Sequence, residues 1–367
     1  MLVDNQHYRT IWPNSNGKFP FVEIIDQTRL PHEFKVENIS SLEQMIVAIK
    51  SMQVRGAPLI GAAAAYGMAL AMLKNSDDAH LNASAMQLIA SRPTAVNLKW
   101  AVTRMRNHLL ALPVQQRLQA AWLEAALICE EDVLLNQAIG MHGVALIDRM
   151  YCQKMRTIHI LTHCNAGWLA TVDFGTALAP IYAAHNAGID VHVWVDETRP
   201  RNQGASLTAW ELGQHGVPYT VISDNAGGHL MQQGQVDMVI VGADRVTATG
   251  DVCNKIGTYL KALAAADAAA YGHQVPFYAA VPSPTIDWTL DDGVNQIEIE
   301  ERHADEVAWM SGRLASGEVA NVNVLPAGAR VANPAFDVTP ARLVTGIITE
   351  QGVFAPNELY KMQRTHL

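Results

Sequence analysis

At 367 residues the chain is longer than one compact core usually holds, so two domains are expected. Its 49% apolar and 17% charged residues exclude a disordered chain, and a net charge of −9 without any Lys/Arg cluster argues against a nucleic-acid partner. The four cysteines, Cys129, Cys152, Cys164 and Cys253, share no C-x-x-C spacing and do not read as a disulfide framework, which fits a reducing cytoplasm.

The start, MLVDNQHYRTIW, has neither the basic nor the apolar region of a cleaved leader. Short β-type runs follow, YRTIW and FPFVEIID, separated by PNSNGK with its Asn16-Gly17 turn signal, and they predict a small antiparallel sheet. Residues 41–150 are helical in pattern: SLEQMIVAIKSM, the Ala-rich 56–74 segment, TAVNLKWAVTRMRNHLL, and a long stretch from Val114 to Ile147. The longest apolar run, 57–73, is rich in Ala and Gly and interrupted by Tyr66, so it reads as a helix buried in protein and no membrane span is expected.

Beyond that the period changes. Near-continuous apolar runs, TIHILTH, DVHVWVD, YTVIS, VDMVIVGAD and FYAAVP, alternate with helical segments such as FGTALAPIYAAHNAG, SLTAWELGQHG and TYLKALAAADAAA. Strands of that kind are buried on both faces, which predicts a doubly wound, Rossmann-like parallel sheet. The expected division is a mainly helical N-terminal domain over 1–130, opening with the small antiparallel sheet, and a catalytic α/β domain over 131–367.

Ligands of open parallel sheets bind beyond the carboxyl ends of the strands. Three consecutive strands here end in polar residues: Thr162 to Asn165, Asp196 to Arg199, and Asp244-Arg245. Cys164 stands where a strand gives way to small residues and a helix, where helix N–H groups stabilise a thiolate; a small buried hydrophobe is the commoner fate of a free cysteine. Asp244 follows an apolar strand, where desolvation suits a carboxyl to acid work, although a cap or a partner to Arg245 accounts for it equally. Asp251 reads as the organiser of a Thr-Gly-Asp turn, and Asn254 and Lys255 offer an amide and an ammonium to a phosphate. Arg55-Gly56-Ala57-Pro58 places an arginine beside a helix N-terminus, an anion site if it is not a surface ion pair, and Arg92-Pro93-Thr94 repeats the theme. No G-x-G-x-x-G, no G-x-x-x-x-G-K-[ST] and no metal-ligand pattern around His159, His163, His185 or His192 occurs, so neither metal nor nucleotide cofactor is expected.

Six blocks carry a resemblance: RGAPLIGAAAAYG (55–67), RPTAVNLKWAVTRM (92–105), THCNAGWLAT (162–171), DETRPRNQGASLTAWEL (196–212), VGADRVTATGDVCNKIGTY (241–259) and NPAFDVTPARLVTGIITEQGV (333–353). In this order, and over most of the chain from residue 21, the sequence resembles the methylthioribose-1-phosphate isomerases of methionine salvage. Their superfamily also holds ribose-1,5-bisphosphate isomerases and regulatory subunits of a eukaryotic translation-initiation exchange factor. The resemblance implies a cytoplasmic homodimer that acts on a sugar phosphate without a cofactor, with Cys164 and Asp244 on the catalytic positions. It also implies substrate or phosphate contacts at Arg55, Gly56, Ala57, Arg92, Gln203, Asn254 and Lys255.

Two positions depart from that family. Ser206 stands where an arginine is usual, and Cys253 where alanine is common, which leaves open how one end of the substrate is held. The alternatives are isomerisation of 5-deoxyribose 1-phosphate or ribose 1,5-bisphosphate, a non-catalytic regulatory subunit that binds a metabolite, and, on the sheet alone, a nicotinamide-dependent dehydrogenase. A phosphate on C1 locks the anomeric centre, so the enzyme must open the ring itself. Two routes remain: an enol, with Asp244 protonating the ring oxygen and Cys164 removing the C2 proton, or a direct hydride shift.

Overall fold

The structure, a computed structural model, describes residues 1–14 and 20–363. The expected small sheet is present as Ile11–Asn14, Phe21–Ile25 and Val36–Ile39, all antiparallel; the Asn16-Gly17 turn lies outside the described residues. Five helices follow: α1 (Leu42–Lys50), α2 (Ala57–Lys74), α3 (Asp78–Ile89), α4 (Val96–Leu110) and α5 (Val114–Lys154). Ser41 caps α1 by accepting the Gln44 N–H, and the Gln44 side chain reaches back to the Ser40 N–H.

Helix α2 is apolar on every side because it is surrounded: α1, α3, α4 and α5 all pack on it. It is long and apolar enough to cross a membrane by length and composition, yet most of it is buried inside the protein. Helix α5, 41 residues long, serves two cores. Ile128, Cys129 and Val133 join the core around α2, whereas Ile139 and Ile147 join the core of the following sheet. The division expected at residue 130 therefore falls inside a continuous helix, not in a linker.

The main sheet has seven strands. Its six parallel strands lie in the spatial order Tyr219–Ile222, Val191–Asp196, Ile158–Thr162, Met238–Val241, Phe277–Ala280, Gly346–Thr349, and antiparallel Gly352–Phe354 closes one edge. Numbered along the chain, the parallel strands run 3-2-1-4-5-6, the doubly wound order. Successive residues alternate between two cores: Ile160, Met238, Ile240 and Ile348 face one, Leu161, Val239, Val241 and Ile347 the other. That double burial is why the runs read as continuously apolar. Helices α6 (Ala179–Asn186), α7 (Ala209–His215), α8 (Ala226–Gln232) and α9 (Thr258–Asp267) connect the strands.

Two features have no counterpart in the sequence reading. A four-stranded sheet sits above the main one, in the order Ile286–Asp287, Arg245–Thr247, Val252–Lys255, Phe336–Thr339. A hairpin, Trp309–Arg313 with Val319–Asn323, projects beside it.

Candidate active site

The crossover from strand 1 to strand 4 is the switch point of the sheet, where chains leave in opposite directions and open a crevice. Cys164 follows the first of these strands and Asp244 the other. The two strand ends approach so closely that a Cβ on Gly242 would lie 2.6 Å from that of Ala166.

Cys164 is buried and adopts a left-handed backbone, φ 68°, a conformation that a non-glycine residue keeps only where its surroundings over-determine it. Two hydroxyls do so. The Cys164 N–H donates to Thr198 Oγ1 at 2.8 Å, and Thr208 Oγ1 donates to the Cys164 carbonyl at 2.7 Å. The thiol points at Gln203 Oε1, 3.4 Å away. The helix expected directly after Cys164 is absent; a three-residue 3-10 turn, Trp168–Ala170, follows, and α6 begins only at Ala179. Burial pushes the thiol pKa up, and the Arg55 and Lys255 cations, not a helix end, oppose that rise.

Asp244 is half-buried on the opposite wall. Its N–H is bonded to the Cys253 carbonyl at 2.9 Å, and among the described residues nothing hydrogen-bonds its carboxyl group. Burial raises its pKa, against the pull of Lys255, Arg92 and Arg55. Arg245 is not its partner: that guanidinium reaches the Thr94 carbonyl and Asp287.

The cations arrive from three directions. Arg55 is buried at the mouth of α2 and is held by Asn165, through its side-chain oxygen and, at 2.9 Å, its carbonyl. Among the described residues it forms no salt bridge, so its charge is not neutralised by a carboxylate. Gly56 caps α2 at φ 98°, and a Cβ there would lie 2.5 Å from the Ala170 carbonyl oxygen; Ala57 and Pro58 are the first helical residues. The exposed N–H groups of α2 thus open beside Arg55. Lys255 is buried with its ammonium 4.5 Å from the Phe336 ring centre, Asn254 donates to Thr258 Oγ1, and Arg92 is bonded to Glu300 at 3.3 Å. One small cavity is lined by Arg55, Gly56, Ala57, Cys164, Asp244 and Asn254. Gln203 meets it through the Cys164 thiol, and Arg92 lines an adjoining cavity on the other side of Asp244.

Gln203 opens a π-helical turn, Gly204–Thr208, which also carries Thr208 and Ser206. Gly204 is required there, because a Cβ would fall 1.7 Å from the Asp196 carbonyl oxygen. Ser206 lines, with Arg55, Arg201, Gln203 and Asn321, a polar cavity of about 630 Å³. Of the two residues that depart from the family pattern, Ser206 thus borders the polar cavity, whereas Cys253 lines the cavity that Arg92 lines.

Sequence reasoning passed over the layer behind these groups. Glu211, fully buried, accepts from the Asn165 amide and from the Leu169 N–H at 3.3 Å. Burial pushes its carboxyl up to about 8, with the Asn165 bond opposing. By taking the Asn165 N–H, Glu211 turns the amide oxygen toward Arg55. The available signal was one acidic residue in an otherwise small and apolar stretch, GASLTAWEL. His163, expected to lack a ligand-like partner, lies with Asp196 and Asp224 in a group of metal-ligand spacing. Its ring is bonded to Asp196 and to the Ile256 carbonyl, both at 2.8 Å, while the Lys261 ammonium holds Asp196 at 3.2 Å and the Asp224 carbonyl. Asp224 accepts the Thr198 and Arg199 N–H groups, so the group also holds the loop that frames Cys164. Asp251 ties loops together through the Gly293 and Ala341 N–H groups.

Residues 53–356 match the sequence profile of the initiation factor 2 subunit family. The chain belongs to that family. A methylthioribose-1-phosphate isomerase of Brucella anthropi is 60% identical over 97% of both chains. Among solved structures, 5-methylthioribose 1-phosphate isomerase from Pyrococcus horikoshii OT3 superposes with a TM-score of 0.80 at 39% identity, covering 98% of this chain and 96% of that one. The delta subunit of translation initiation factor eIF-2B from A. fulgidus gives 0.78 at 38% identity, with 98% and 100% covered. Membership of the family alone does not separate enzyme from initiation factor, because both names occur at similar identity among the solved structures. The curated relatives at about 60% identity do separate them.

Proposed function

We propose that the chain is an aldose-ketose isomerase that converts 5-methylthioribose 1-phosphate to 5-methylthioribulose 1-phosphate in methionine salvage. One observation supports this reading above the others: Cys164 and Asp244 face one buried cavity at the switch point, beside a helix N-terminus and an arginine that has no carboxylate partner among the described residues. In this assignment Arg55 and the Gly56-Ala57 end of α2 take the phosphate, with Lys255 and Arg92 adding charge. Gln203 and Asn254 take sugar hydroxyls.

The steps balance as proton transfers. Asp244, neutral at the start, protonates the ring oxygen as the C1–O bond breaks, and the Cys164 thiolate removes the C2 proton to leave an enol phosphate. The resulting Asp244 carboxylate then takes the proton of the 2-hydroxyl while the Cys164 thiol delivers its proton to C1. A C2 ketone results, and both side chains return to their initial states. No electrons leave the substrate, so the scheme calls on neither metal nor redox cofactor.

The test is turnover of purified protein on 5-methylthioribose 1-phosphate, beside 5-deoxyribose 1-phosphate and ribose 1,5-bisphosphate. Ketose formation from the first is the expected result; a protein inert on all three would end the isomerase reading. Within the same assay Arg55→Ala is expected to raise KM roughly 10- to 100-fold with a smaller change in kcat, the effect of losing one charge-assisted phosphate contact. An unchanged KM would remove Arg55 from the anion site. The family resemblance also carries a cytoplasmic homodimer into this proposal, with the net charge of −9 disfavouring nucleic acid as a partner. Sedimentation equilibrium should return twice the mass of the chain, and a monomer at micromolar concentration would dismiss the dimer.

A further inference from the structure

The reacting atoms of a furanose 1-phosphate have a fixed order. The ring oxygen joins C1 to C4; the phosphate hangs from C1, between C2 and the ring oxygen, and C5 hangs from C4, on the other side of that oxygen. With Cys164 at C2 and Asp244 at the ring oxygen, the phosphate falls between the two side chains. C5 and whatever it carries fall past Asp244, nearer to it than to Cys164.

A second cavity lies on that side. It has Asp244 in its wall but not Cys164, and its apolar surface comes from Ala57, Ile60, Ala95, Cys253, Ile297 and Phe336. Its volume is about 30 Å³. A phosphate there would meet the Glu298 carboxylate of the same lining. Of the cations at the rim, Arg245 is committed to Asp287 and the Thr94 carbonyl. The wide cavity beside Gln203 and Ser206 is predominantly polar and gives an apolar terminus no comparable wall.

We infer that the apolar cavity beyond Asp244 seats the C5 substituent of the substrate and selects a short, uncharged thioether there. This rests on the isomerase reading and on Cys164 and Asp244 as its proton-moving pair. Cys253 is then a specificity-determining residue: it sits on the strand Val252–Lys255 and is 3% exposed, so its volume directly sets the depth of the seat.

The experiment compares two substrates in each protein, 5-methylthioribose 1-phosphate and 5-deoxyribose 1-phosphate, which differ only by the S–CH3 group. Filling the seat with Cys253→Leu is expected to shift the ratio of kcat/KM toward the 5-deoxy substrate by about 10-fold or more, within the range found for one misplaced apolar group. Ile297→Phe fills the same space from another segment and should shift the ratio the same way, which covers the case in which the strand does not tolerate leucine. A ratio unchanged in both variants, with both substrates falling together or neither falling, overturns the seat while leaving the isomerase intact. Wild-type protein that turns over the 5-deoxy substrate but not the methylthio one overturns both.

Discussion

Asp244→Asn is expected to lower turnover of 5-methylthioribose 1-phosphate by roughly 10³-fold or more, toward the upper part of the 10²–10⁴ range of general acid–base catalysis. The reason is environment. A carboxyl in water is ionised at neutral pH and has no proton to give, whereas burial raises Asp244, and no hydrogen bond among the described residues stabilises its charged form. The amide has nearly the same shape and cannot serve as the acid, so substrate binding should hold while ring opening stops. Because the enol and hydride-shift routes both begin with ring opening, the loss is expected on either. Steady-state kinetics on the folded variant checks it; an Asn variant with near-normal kcat would remove Asp244 from the chemistry.

Cys164→Ser should cost roughly 10²-fold or more in turnover with little change in KM, because a hydroxyl yields a base far less readily than a thiol does. Burial works against this residue: it raises the thiol, and Arg55 and Lys255 are the groups that pull it back down. The pair must therefore work as thiolate and carboxylic acid, a form with the same proton count as thiol and carboxylate. pH alone cannot enrich one over the other. The expected rate profile is a bell whose limbs belong to the coupled pair, falling on the acid side as the thiolate form is lost and on the alkaline side as the carboxylic acid is lost. For the enol route, product formed in deuterated water should also carry deuterium at C1. A serine variant with wild-type kcat would leave Cys164 a structural residue.

What the sequence disclosed follows from what local pattern can encode. Double burial of the parallel strands produced apolar runs that any reading finds, and the polar residues at their carboxyl ends lay beside them. The sheet that carries Arg245–Thr247 and Val252–Lys255 was hidden for the opposite reason: its strands are short, and one joins a segment more than eighty residues further along the chain, at Phe336–Thr339. The sixth parallel strand, Gly346–Thr349, is similarly brief. At the site, the chemical side chains were legible because their types are rare at strand ends. The hydroxyls of Thr198 and Thr208 and the carboxylate of Glu211 were not. They act through hydrogen bonds to backbone and amide groups 34 to 46 residues distant, and no periodicity records a contact of that kind. The thiolate donors expected from a helix were replaced by distant cations for the same reason: charge acts through space, and a local reading sees only neighbours.

Helix α5 has a mechanical consequence. It is roughly 60 Å of unbroken helix at 1.5 Å per residue, and it lends side chains to both cores. Arg55 comes from one of these bodies and Cys164 from the other, so the two halves of the site are joined by a continuous helix that packs in both cores. The rim beside Arg92 and Arg201 is held differently. Residues 300–307 are fastened there by Glu300 to Arg92, Glu306 to Arg201, and the Val307 carbonyl to Arg199, with little apolar packing. Ion pairs of this kind are screened by salt and buried hydrocarbon is not, so salt in the medium loosens this fastening before the frame.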